Sequence, residues 1–219
     1  MKLKQVLKLI YRKIFFSGLV HYLKKELLGS NSVLDLGCGS NSSLQYCDIP
    51  YSVGVDIFES YLEESKKRKV HNQHIKADIT KIEFPPKSFD AVIAIDVIEH
   101  LTKEEGYKLI KNMERWARKK IIVFTPNGYV KQSEYDGNRF QQHKCSWVVK
   151  ELEDLGFKTY GINGLKKIRD SGGAIKYRPK ILWCRFSDLT QKIAYYYPKI
   201  AFQILAVKEM KNKIYGTSK

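Results

Sequence analysis

The sequence predicts an α/β fold, a doubly wound and mostly parallel sheet with one antiparallel strand near its edge. Two observations carry this expectation. Apolar runs rich in β-branched residues recur between stretches patterned as helices, so strand and helix alternate along the chain. Within the runs hydrophobicity is continuous rather than alternating, as strands buried on both faces require.

Taken in order, "SVLDLG" (32–37), "YSVGVDI" (51–57), "FDAVIAIDVI" (89–98) and "KKIIVFTP" (119–126) read as strands, with a further one in "GFKTYGI" (156–162). Helices are expected in "SYLEESKKRK" (60–69), "TKEEGYKLIKNMERWARK" (102–119) and "SWVVKELEDLG" (146–156). Thr102 and Glu105 have the spacing of a capping box, Ser146 is expected to cap the last helix, and Gly156 to close it. "FQILAVKEM" (202–210) suits a final antiparallel strand, which makes the thirty or so preceding residues, rich in Lys, Arg, Tyr and Trp, an insertion.

A chain of 219 residues can bury one sizeable core, and 43% apolar against 28% charged residues excludes a disordered chain. We divide it into a basic amphipathic helical extension (1–30), a core (31–165), and a basic aromatic insertion with the final strand that completes the same domain (166–219). The formal net charge of +16 is segregated: the three parts carry +6, 0 and +10. Basic flanks on a neutral middle point to an anionic partner such as lipid head groups, a charged glycan or nucleic acid, solubility alone being the plainer alternative. In "MKLKQVLKLIYRKIFF", Leu3, Leu7, Ile10 and Ile14 fall at helical spacing among Lys4, Lys8, Arg12 and Lys13. Such a helix can lie on an anionic membrane surface or pack on its own domain. Cys38, Cys47, Cys145 and Cys184 form no C-x-x-C pair and have no His at zinc spacing, so reduced thiols and no metal are expected. No signal-peptide pattern or membrane-spanning run is read, which suggests the cytoplasm, peripheral to the inner face of the membrane if the flanks bind it.

The chemistry is concentrated in "VLDLGCGSNSS". In a doubly wound sheet, ligands bind at the carboxyl ends of strands where strand order reverses, and this loop follows the first strand. Gly37 and Gly39 let the chain turn tightly with bare amides. Asp56 ends the second strand 21 residues beyond Asp35, the spacing at which an acid reaches a ribose diol. The third glycine of a dinucleotide loop is replaced by Ser42. Asp35 would sit badly beside a pyrophosphate and well beside a cationic amino-acid group, which favours S-adenosylmethionine over a nicotinamide or flavin cofactor.

The succession "VLDLGCGS", "VGVDI", "IKADI", "FDAVIAIDVIEHL" resembles the motifs of class I S-adenosylmethionine-dependent methyltransferases over about residues 31–130. The resemblance implies a Rossmann-like, seven-stranded sheet and S-adenosyl-L-methionine as cofactor. It further implies that Asp35 and the Gly37–Cys38–Gly39 turn face the methionine part, that Asp56 holds the ribose hydroxyls with Ile57 on the adenine, that Asp78 and Ile79 flank the adenine amino group, and that Asp96 lies near the sulfonium. Asn41 stands where many relatives have another glycine, which bears only on the loop's conformation.

A hydroxyl acceptor must lose a proton, and His is the natural base near neutral pH. His143 in "RFQQHKCSW" is the preferred candidate and His100 in "DVIEHL" the second. The loop "TPNGYVKQSEYDGNRFQQHKCSW" (125–147) is long for a connection, and its mixture of polar and aromatic residues suits a small or glycan-like acceptor, lipid-linked if the flanks meet a membrane. The rival readings are an RNA methyltransferase using the basic flanks, with Trp183, Phe186 and Tyr195–Tyr197 to stack bases, and a non-catalytic cofactor-binding subunit. Against RNA, the "FDAVIAIDVI" strand ends in "DVIEH" and not in the Asn/Asp-Pro-Pro-Tyr of enzymes that methylate exocyclic base nitrogens.

Overall fold

The computed structural model describes residues 18–134 and 137–210. The amphipathic pattern at 1–16 lies outside them. The helices are α1 (Leu19–Glu26), α2 (Glu59–Lys67), α3 (Lys103–Trp116), α4 (Val149–Asp154), α5 (Lys180–Leu189) and α6 (Gln191–Tyr196). The strands are β1 (Ser32–Leu36), β2 (Tyr51–Asp56), β3 (Gln73–Lys76), β4 (Phe89–Ile95), β5 (Ala117–Pro126), β6 (Lys158–Leu165) and β7 (Ala201–Glu209).

The seven strands form one sheet in the order β3-β2-β1-β4-β5-β7-β6. The first five are parallel, and β7 runs antiparallel between β5 and β6. Continuous apolar strands pay off on both faces. Ile121 and Val123 join Leu109, Ile110, Met113 and Trp116 of α3 on one side. Ile122 and Phe124 join Leu23 of α1 and Leu27 just past it on the other. Strand order reverses at β1, with β2 on one flank and β4 on the other, which opens the crevice where such sheets bind ligands.

Three local differences from the sequence reading have physical causes. β3 went unread because "QHIK" is short, polar and partly exposed at the sheet edge. α3 starts on the expected box, with Thr102 Oγ1 accepting from Glu105 N (3.2 Å) and Glu105 Oε2 from Thr102 N (2.9 Å), but it ends at Trp116 because β5 begins at Ala117. Ser146 does not cap α4. Trp147 is pulled into the core and bridged to Asn127, which keeps the chain extended, so Val148 becomes the cap position and its N–H donates to Glu151 Oε2 (2.9 Å).

The 166–200 insertion is fastened to β6. Gln191, buried in α6, donates from Nε2 to Gly161 O (3.0 Å) and accepts at Oε1 from Gly164 N (3.0 Å). Tyr195 stacks on Tyr160 at 4.7 Å and on Tyr22 of α1 at 4.5 Å. The fit requires glycine at 161, since a Cβ there would run into Ala194 O and Ala201 Cβ. Gly161→Ala is therefore expected to lower stability by about 1–3 kcal/mol in urea unfolding. An unchanged midpoint would mean that α6 does not clamp β6.

Candidate functional site

A cleft opens over the carboxyl ends of β1, β2 and β4. It brings together Gly37, Asp56, Ile57, Asp78, Ile79, Asp96 and His100 from stretches that the sequence sets far apart. The cleft is half-open, with a cavity volume of about 150 Å³, below the roughly 300–1,000 Å³ of ordinary ligand pockets.

Gly37 follows β1 with φ +66°, and a Cβ there would meet the Val97 side chain, so the turn needs glycine. The next amides are already arranged around Asp56. Asp56 Oδ2 accepts from Gly39 N (2.8 Å) and Oδ1 from Phe58 N (2.9 Å). Burial raises its pKa, and these amide bonds oppose the rise. Asp78 accepts from Thr80 N (2.9 Å) and Thr80 Oγ1 (2.7 Å), which fixes its turn beside the cleft.

Asp96 takes φ +53° directly after β4, a left-handed conformation that Asp tolerates better than most residues. Its N–H donates to Phe124 O (2.8 Å), and its Oδ1 accepts from Gln203 Nε2 of β7 (3.2 Å). The carboxylate is accessible through the cleft, while the protein packed around the rest of it raises its pKa.

Asp35, Cys38, Gly39 and His143 do not line the cleft. Asp35 is 1% exposed, its Oδ2 accepts from Ser42 Oγ (2.5 Å), and it lies 3.4 Å from His71 Nε2. Desolvation pushes the Asp35 carboxyl up to about 7 against the Ser42 bond, and pushes His71 down to about 4. His71 carried no signal in the sequence and Ser42 only that of an absent glycine, because each acquires its role by facing Asp35.

Asn138, Phe140, Gln141 and Lys144 complete the cleft wall from the 125–147 loop. The loop docks on the turn after β4. Lys144 N (2.9 Å) and Cys145 N (3.2 Å) donate to Glu99 O, and Trp147 Nε1 donates to Ile98 O (3.2 Å). That docking stacks His143 on His100 at 4.8 Å, edge to face. His143 is 8% exposed behind the wall. A second groove of about 720 Å³ is lined by Tyr129 and Val130 of the same loop with Lys166, Lys167, Arg169, Asp170, Lys176, Lys199 and Phe202.

A bare glycine turn closing β1 and an acid closing β2, at the point where strand order reverses, define the class of doubly wound proteins that bind nucleosides at a switch point. Residues 34–125 match the family described as a methyltransferase domain. The sterol 24-C-methyltransferase of Candida albicans is 27% identical over 198 residues, 81% of this chain and 48% of that protein. The phosphoethanolamine N-methyltransferase of Plasmodium falciparum is 30% identical over 99 residues, 42% of this chain and 37% of that one. A solved S-adenosylmethionine-dependent methyltransferase from Archaeoglobus fulgidus superposes with a TM-score of 0.55 at 21% identity, over 93% of this chain and 99% of that one, a likeness of fold. Residues 34–125 are thus similar to a methyltransferase domain, and the chain shares the fold of a solved S-adenosylmethionine-dependent methyltransferase. It spans about half the length of the sterol methyltransferases it matches.

The Asp35 environment fixes a sign. A carboxyl raised from 3.8 to about 7 contributes stability that is present below pH 3.8 and lost as pH rises through 7. Asp35→Asn is expected to gain stability relative to the parent across that window, so the gap in thermal midpoint between the two cofactor-free proteins should widen toward pH 8. A gap independent of pH would rule out a raised Asp35.

Proposed function

We propose that the chain transfers the methyl group of S-adenosylmethionine to a hydroxyl of a small or glycan-like acceptor that carries an anionic, lipid-linked portion. The observation that carries this reading is the pairing of two sites that draw on one loop, an acid-lined cleft and a groove with five cationic side chains. Hydrogen bonds link them: Val130 and Phe202 line the groove, while Val130 O accepts from His143 and Gln203, next to Phe202, donates to Asp96. An acceptor whose anionic group sits on Lys167, Lys176 and Lys199 can thus present a neighbouring hydroxyl to the cleft.

In this reading Asp56 holds the ribose. Its two oxygens spend one lone-pair site each on Gly39 and Phe58 and keep the others for a diol. Ile57, Asp78 and Ile79 flank the adenine. The Gly37–Cys38–Gly39 turn and Asp96 border the methionine and its sulfonium, and Asp35 acts from beneath the turn through Ser42. Transfer is an in-line displacement: an acceptor oxygen lone pair forms the new O–C bond, the S–C pair returns to sulfur, and the hydroxyl proton departs. Positioning supplies much of the rate, and His100 and His143 are the residues we assign to easing the proton's departure.

The flanks 1–30 and 166–219 extend the 31–165 core within one domain, and the second flank suits attachment to an anionic membrane. α5 leaves Ile181, Leu182, Phe186 and Leu189 exposed beside Lys180 and Arg185. No helix among the described residues is long and apolar enough to cross a membrane, so contact would be peripheral.

Calorimetric titration with S-adenosylhomocysteine is expected to give micromolar binding that Asp56→Ala weakens by at least tenfold. Absence of binding by the parent would remove the cofactor reading. For the membrane, flotation with anionic vesicles at low salt should carry the protein upward and release it at high salt. Protein left at the bottom of the gradient under both conditions would remove the peripheral assignment.

A further inference from the structure

We propose that Glu99, His100 and His143 form a binding site for a divalent first-row transition cation at the acceptor end of the cleft. One ligand atom from each lies within 4.8 Å of the other two. Ligands held by bonds of about 2.1 Å stand roughly 3–3.5 Å apart around an ion, so small side-chain adjustments would close the cluster on one. Two imidazoles and one carboxylate are a donor set suited to transition metals and leave further coordination positions for water or substrate.

Each ligand is already oriented by a partner on its other atom. A backbone carbonyl can only accept, so His100 Nδ1 donates to Gln142 O (3.2 Å) and His143 Nδ1 donates to Val130 O (2.6 Å). In a neutral ring this puts the lone pair of both histidines on Nε2. Glu99 Oε2 accepts from Thr125 Oγ1 (3.0 Å), and Oε1 is buried with no hydrogen-bond partner. An orphaned carboxylate oxygen on a residue 2% exposed, beside two preset imidazole nitrogens, is costly as structure alone and becomes satisfied by a cation. Only His100 of the three lines the cleft, so an ion here would be held from behind and open toward the acceptor.

Resting on the methyl-transfer reading, the ion's role is that of a Lewis acid. A hydroxyl that coordinates it is acidified and loses its proton to water before or as its oxygen takes the methyl group. His100 and His143 then act as ligands and not as bases. Binding of the ion does not depend on that reading.

The test is titration of the metal-free protein with Mn²⁺, followed by calorimetry and by the loss of the free-ion electron paramagnetic resonance signal. One ion per chain is expected, bound at least tenfold more weakly by Glu99→Gln and by His143→Asn, with S-adenosylhomocysteine affinity retained in both. On the unmodified protein, pulsed spectra of bound Mn²⁺ should carry couplings from two imidazole nitrogens, a readout that does not require any variant to fold. No stoichiometric binding, equal affinity in folded variants, or bound Mn²⁺ without nitrogen couplings would overturn the site. Failure to bind S-adenosylhomocysteine, with Mn²⁺ still bound, would strike the methyl-transfer reading instead.

Discussion

The carboxyl end of the sheet depends on how the turn after β4 is held. Asp96 leaves the strand in a left-handed conformation, and its amide is tied to Phe124 O of β5. That reversal turns residues 98–100 back over the sheet and presents the carbonyls of Ile98 and Glu99 to the 125–147 loop. Four donors take them: the Lys144 and Cys145 amides, the Cys145 thiol at 3.4 Å and the Trp147 indole. A long loop of polar composition is thereby fixed at the cleft without needing an apolar core of its own. The cleft wall, the basic groove and the His100–His143 contact all inherit their positions from these bonds.

Much of the fold was legible because the central strands are buried on both faces, and only apolar residues in unbroken runs satisfy that. β1, β4 and β5 announce themselves this way, and the Thr102 box marks the start of α3. Where a tertiary bond decides, local pattern fails. β3 is held by β2 and not by its own hydrophobicity. Ser146 looks like a cap and is overruled by Trp147, whose burial outweighs a capping bond.

The same division runs through the site. Gly37 and Asp56 could be read because a bare turn and a spaced acid follow from chain geometry at strand ends. The association of His143 with His100 could not, since 43 residues separate them and backbone carbonyls, which no sequence pattern encodes, bring them together. The grouping of Glu99, His100 and His143 was hidden for a related reason: it joins an adjacent pair to a distant residue. Ser42, read as a missing glycine, instead donates to Asp35.

Charge gives these features a common logic. The neutral 31–165 core buries a few of its acids: Asp35 and Glu99 outright, and Asp56 nearly so. Each costs stability, because removing a carboxylate from water is unfavourable unless a partner offsets it. The basic residues gather outside, in the flanks and along the groove that Lys166, Lys167 and Lys199 line. On the proposed reading, a cationic sulfonium is drawn toward the acid-lined cleft, and an anionic acceptor toward the groove beside it. On the proposed reading, the cost of burying carboxylates is offset by cations that arrive only with cofactor or metal. The empty protein should then be the strained form and the loaded protein the relaxed one.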